Sequence, residues 1–251
     1  TYTIIKSQIL DTDTTWSLAD SPYRVEGNIM VKEGVTLTVE PGVEVWFVPK
    51  VWLEVYGTLR AIGTEIQPIT FSGNKDWRGL RFKDSSADYR RDDGSGSWVS
   101  HAILRGSDCG GTYSLIRIEK ASPGISNNTF DCGGVSRYEF IGTVAIYIES
   151  WGGDLWIESN VLPNQYIRSD ESNGDGRLVV ANNTLGGIDL ELGVCCDDTH
   201  TNVVVIMDNS FGKNTHKDMG VTLSAINVSS GNTSGGSTLV IRTNTIDLRD
   251  S

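Results

Sequence analysis

The sequence is poor in several residue types, and each shortage excludes something. It has 3 Met, 3 His, 4 Cys and 6 Pro in 251 residues. No long apolar run is present, which excludes a helical membrane span. Basic residues are in deficit, with 21 Lys and Arg against 32 Asp and Glu, a formal charge of −11. Such a surface repels a phosphate backbone, which argues against nucleic acid as a partner. Convincing 3.6-residue periodicity is absent, so helices of useful length are not expected. The chain opens Thr1-Tyr2-Thr3 without an initiator Met, a charged start or an apolar targeting core, and so reads as a mature or trimmed chain.

What is abundant is Gly, at 28 residues, together with Thr, Val and Ile, the residues of turns and strands. One six-residue grammar recurs: apolar, two variable residues, Asn, a small or β-branched residue, apolar. It occurs at Ile125–Phe130, Ile157–Leu162, Val180–Leu185, Ile206–Phe211 and Ile241–Ile246. The asparagines are Asn128, Asn160, Asn183, Asn209 and Asn244, spaced by 32, 23, 26 and 35 residues. A repeat at this period with variable excess predicts the coils of a solenoid carrying loop insertions. The fixed distance of each Asn from its apolar neighbours predicts a corner residue with a left-handed backbone. Its buried amide would bond to the next Asn up the stack.

Upstream, Val31–Thr38 and Val39–Trp46 form an eight-residue alternation with Gly34 and Gly42 three residues after an apolar residue, the place that Asn takes later. Residues 1–25, with bulky Trp16 and Tyr23, are expected to form an N-terminal cap, and residues 26–251 the coils of a single domain. Then come Gly57-Thr58-Leu59-x-Ala61-x-Gly63-Thr64, Pro68-Ile69-x-Phe71 and Trp77-x-Gly79-Leu80-x-Phe82, preceded by Leu37–Val43. These resemble the opening coils of secreted right-handed parallel β-helix proteins, the pectin-lyase-like superfold. The resemblance runs from about Thr14 to Phe82, and the Asn-bearing coils carry it onward. It implies an all-β right-handed parallel β-helix with an N-terminal cap and loop insertions, in an extracellular setting. About 27 residues per turn predicts eight or nine coils, a stack about 40 Å long. Known members include surface proteins, binding modules, polysaccharide lyases and hydrolases, so the fold leaves the activity open.

Candidate sites fall mainly in the insertions. Cys109 and Cys132 share an Asp-Cys-Gly-Gly context 23 residues apart, about one coil, so a disulfide between them is expected, against two free thiols. Cys195 and Cys196 are adjacent and would have only each other left, as a vicinal bridge or two thiols. Asp170, Asn173 and Asp175 supply oxygens alternating with glycines, a loop that calcium could use, although a solvated turn is the favoured reading. Trp77, Trp98, Trp151, Tyr89, Tyr113, Tyr138 and Tyr166 lie in or beside glycine-rich stretches, where an exposed ring could stack on a sugar or anchor a loop. Trp46 and Trp52 sit in strand patterns and read as packing residues.

An enzyme needs more. Asp197, Asp198 and His200 are the tightest cluster suited to a glycoside hydrolase. For a lyase, Arg117, Lys120 or Arg168 could act as the base. The polygalacturonase set of Asn-Thr-Asp, paired Asp, Gly-His-Gly and Arg-Ile-Lys finds only the paired Asp: the chain has Asn244-Thr245-Ile246 and Arg117-Ile118-Glu119, and none of His101, His200 and His216 is flanked by glycines. Four Asn-x-Ser/Thr sites, at Asn127, Asn182, Asn227 and Asn232, matter only in a eukaryotic secretory pathway, and two of them lie inside the corner grammar. The favoured expectation is a secreted or surface-displayed module without a catalytic set, binding a polysaccharide or a cell-surface protein and needing no cofactor. The alternatives are a carbohydrate-active enzyme, lyase before hydrolase, and a structural segment of a larger surface protein.

Overall fold

A computed structural model describes residues 1–73, 76–106, 114–132, 143–174, 176–192, 202–211, 226–230 and 238–246. Every strand pairing in it is parallel, and the strands run in repeating sets of three, each set making one turn of a right-handed parallel β-helix. One set is Tyr23–Val25, Ile29–Val31 and Thr36–Val39; the next is Glu44–Phe47, Leu53–Val55 and Thr58–Ile62. First strands stack on first, second on second and third on third, giving three sheets around one core. The third sheet holds nine strands, and so marks nine coils among the described residues.

Alternation within each short strand determines what faces the core. In the second sheet Ile29, Leu53, Leu80, Ile116, Ile146, Ile167 and Ile188 occupy one register column, all fully buried. In the first sheet Val45, Phe71, Leu104 and Phe130 do the same. Each buried side chain of this size contributes about 1.5–3 kcal/mol of transfer free energy.

The corner between the third and first sheets carries the asparagine ladder. Asn128 Nδ2 donates to Asn160 Oδ1 at 3.1 Å, and the same bond repeats at 3.0 Å from Asn160 to Asn183, Asn183 to Asn209 and Asn209 to Asn244. The second amide hydrogen goes to a backbone carbonyl, for example Asn183 Nδ2 to Ile157 O at 2.9 Å. Each acceptor oxygen also takes a backbone N–H, as Asn160 N donates to Asn183 Oδ1 at 2.9 Å. The buried amides thus spend both hydrogens and use their oxygens twice.

One detail differs from expectation: the left-handed residue is the one before each ladder asparagine. Asn127, Ser159, Asn182, Asp208 and Thr243 have φ between 47° and 57°. Their exposed side chains leave the ladder amide free to turn inward. Gly34 and Gly42 are left-handed too, at φ 77° and 81°, so they correspond to the turning residue and not to the amide.

Two further expectations need correction. Residues 1–25 are not a separate cap. Thr3–Ile5, Gln8–Leu10 and Thr14–Trp16 make a complete first coil, and Trp16 and Tyr23 are core residues whose rings stack at 5.5 Å. Pro163 to Gly176 reads in the sequence as an insertion, yet Val161–Gly174 is one strand that bends around a corner to serve the first and second sheets. Cys132 is buried and disulfide-bonded, and its partner is one of Cys109, Cys195 and Cys196, all of which lie outside the described residues. No helix among the described residues is long and apolar enough to cross a membrane.

Candidate functional site

The outward column of the second sheet gathers charge. Glu54, Arg81, Arg117, Tyr147 and Arg168 stand in register on successive coils. Flanking residues complete a cluster. Trp52 precedes its strand and lies under two guanidinium groups, Arg78 at 5.2 Å and Arg81 at 5.1 Å from the ring centre. Arg117 sits 4.7 Å over Tyr147. Lys83 is paired with Glu54 at 3.6 Å and with Glu119, while Arg117 holds Glu119 at 2.9 Å and also Glu149.

Arg81 differs from its neighbours. Its Nε donates only a long bond, 3.4 Å, to the Arg78 carbonyl, and no carboxylate among the described residues forms an ion pair with it. Burial, with the charge of Arg117 beside it, lowers its pKa. Glu119 and Glu54 act on it only from a distance, and a partly desolvated guanidinium without an ion-paired anion has unspent capacity for a carboxylate, sulfate or phosphate. The cluster sets Arg78, Arg81, Lys83 and Arg117 against Glu54, Glu119 and Glu149, a local cationic surplus on a chain of charge −11.

For Glu119, burial opposes the charged form, yet Lys83 and Arg117 outweigh it and hold the carboxyl below its ordinary 4.5. A folded value below the unfolded one adds stability above the ordinary value, and that stability is lost as pH falls through the folded value. Glu119→Gln is therefore expected to lower the urea midpoint at pH 7, with the gap to wild type closing below about pH 4.5. A gap that does not change with pH would overturn the pairing.

The outer face of the third sheet is occupied differently. Tyr89 tilts against Trp98 at 5.1 Å, and Trp98 Nε1 donates to Ser126 Oγ at 2.9 Å. A Cβ on Gly124 would lie 2.7 Å from the Tyr89 ring, so the segment after Phe82 closes directly onto this sheet. Arg91 and Arg177 flank Trp156 at 4.6 and 4.9 Å, and each is tied to a carboxylate, Glu158 and Asp154.

The expected sugar-stacking aromatics therefore divide. Trp77, Trp151 and Tyr166 are buried, at 4%, 1% and 6% exposure, so they fill the interior and offer no face to a ligand. Trp77 stacks on Phe47 of the preceding coils at 5.0 Å. Tyr89 and Trp98 are half-buried and spent on each other, and Tyr113 and Tyr138 lie outside the described residues. Asp197, Asp198, His200 and Asp175 also lie outside them, and Asp170 and Asn173 are described only as strand backbone. Among the described residues no group of three or more His, Cys, Asp or Glu could hold a metal ion.

Sequence reading passed over Arg78, Arg81, Lys83 and Tyr147, took Trp52 for a packing residue, met Glu119 only in a failed motif, and treated Arg117 as a candidate base or part of that motif. The alternation Trp52-Leu53-Glu54-Val55, with Leu and Val inward, places Trp52 outward and was a usable signal.

The fold and this face define a right-handed parallel β-helix solenoid with a cationic, aromatic strip along one sheet. No known family's sequence profile matches the chain, and no solved structure matches it. Over 75 residues, 30% of this chain, it is 32% identical to Protein bark beetle of Drosophila melanogaster, of whose length that stretch is 2%.

Proposed function

We propose that this chain is a non-catalytic, pectin-lyase-like module of a secreted or surface-displayed protein, and that it grips an acidic polysaccharide along the second sheet. The observation that carries the reading is Arg81, its guanidinium 5.1 Å from the Trp52 ring centre beside Arg78, with no ion-paired carboxylate among the described residues. Successive coils are about 4.8 Å apart, so a linear polyanion along the stack meets cations at closely spaced intervals. Glu54, Glu119 and Glu149 are each engaged by a cation, which favours grip over proton transfer. Arg117, considered above as a lyase base, is itself tied to two carboxylates. A protein with an acidic strip is the other partner that this face suits.

The test is binding to polygalacturonate against neutral dextran, by titration calorimetry or affinity electrophoresis. Arg81→Ala is expected to weaken binding about 10-fold or more, the loss of one charge-assisted contact of ~1.5–3 kcal/mol. Rising salt should weaken wild-type binding as well. Equal retention of both proteins by polygalacturonate, or equal retention of wild type by dextran, would remove the proposal.

A further inference from the structure

The ladder corner carries a second feature that folding does not use. Of the four Asn-x-Ser/Thr sequences, those at Asn127 and Asn182 fall where the chain turns, and the grammar's own demand for asparagine is met one residue later, by Asn128 and Asn183. The turning place imposes no asparagine. His101, Asn127, Ser159, Asn182, Asp208 and Thr243 all occupy it, with φ from 47° to 57°. Asn127 and Asn182 are exposed, and so are Thr129 and Thr184 two residues on, which point outward from the first sheet. None of these four side chains has a hydrogen-bond partner, whereas the asparagines between them are buried and fully bonded.

We propose that Asn127 and Asn182 are N-glycosylation sites, an inference that rests on the extracellular reading above. Asparagine followed two residues later by threonine, with a non-proline residue between, is the acceptor sequence for this transfer. The donor is an oligosaccharide on a polyprenyl pyrophosphate. The Asn Nδ2 forms a bond to sugar C1 and gives up one proton; the C1–O bond breaks, and the pyrophosphate leaves with its electron pair. The finished amide has to stand clear of the stack, and the exposed, unbonded side chains at both positions do so. Transfer to Asn128 or Asn183 instead would break the ladder.

The placement has a spatial result. Asn127 and Asn182 are two coils apart, about 10 Å along the axis. They share the corner between the third and first sheets, which lies across the triangular section from the second sheet. Glycans there cover that corner and leave the strip of Arg81 and Arg117 open. The fold thus separates a decorated edge from a binding face.

The experiment expresses the full chain through the secretory pathway of an animal cell. The product is treated with peptide-N-glycosidase in heavy-oxygen water, which converts each glycosylated Asn into a labelled Asp for peptide mass spectrometry. Label is expected at Asn127 and Asn182. Thr129→Ala should abolish the first and Thr184→Ala the second, with the thermal midpoint of the deglycosylated protein unchanged, because each variant removes only an exposed, unbonded hydroxyl. Label at Asn227 or Asn232 with Asn127 and Asn182 unmodified would overturn the inference, as would a secreted chain with no label at all. Polygalacturonate binding is measured separately on unglycosylated protein, so failure of either reading leaves the other standing.

Discussion

Replacing Asn183 with leucine is expected to destabilise the chain by roughly 3 kcal/mol or more, a large part of the total stability of an ordinary domain. The estimate follows from what is orphaned. Asn160 loses the acceptor of its backbone N–H, at 2.9 Å, and of one side-chain N–H, at 3.0 Å, and the Ile157 carbonyl loses the donor at 2.9 Å. All three groups sit where the flanking residues are buried, so water does not replace the lost partner, and each costs about 1–3 kcal/mol. Asn244→Leu is the contrast. Asn209 donates to Asn244 in a part-buried setting, where water reaches the freed donors, and a loss of about 1 kcal/mol is expected. Denaturant unfolding of both variants measures the difference. Equal losses would show that the ladder stabilises by volume and not by its bonds.

Gly57→Ala is the second large effect, and it acts on the spacing of coils. A Cβ at Gly57 would lie 2.2 Å from both the Lys32 and Val35 carbonyl oxygens of the neighbouring coil. Those are backbone atoms, and the Val35 carbonyl accepts the Thr58 N–H at 2.8 Å, so relief of the clash disrupts a bond that joins two coils. The expected cost is about 3 kcal/mol or more, at or above the upper end for overpacked interiors. Gly34→Ala separates crowding from backbone strain, because a Cβ there meets nothing within 4 Å while φ is 77°. It should cost about 1–2 kcal/mol, the left-handed penalty alone. Thermal midpoints that rank Gly34→Ala below Gly57→Ala would contradict the role given to Gly57.

The architecture was legible in the sequence because buried amides have few solutions. An Asn at a fixed distance from apolar residues on five successive turns has to bond along the stack, and Asn128 to Asn244 do. The position of the left-handed residue was not legible, because Asn127, Ser159, Asn182, Asp208 and Thr243 share no side-chain type, only a backbone angle. Residues 1–25 were misread because strands of three residues are too short to show a period. Trp77 and Trp151 stand near glycines in sequence but enter the core in space; Trp77 meets Phe47 from thirty positions earlier. The cationic strip was hidden for the same reason. Arg81 and Arg117 become neighbours only through the register of Leu80–Phe82 on Ile116–Glu119, which depends on the length of the intervening loops.

The amide ladder also has a direction. Every Asn oxygen accepts from the coil before it, and one Nδ2 hydrogen donates to the coil after it. Bonds in such a chain polarise one another, so each strengthens its neighbours. At Asn244 one Nδ2 hydrogen reaches Ile206 O at 3.1 Å, and the side-chain oxygen takes both the backbone and the side-chain N–H of Asn209 at 3.0 Å. The ladder is therefore polar: turning any interior amide end for end would set hydrogens against hydrogens on one side and oxygen against oxygen on the other, so every amide has to keep the same sense along the rod.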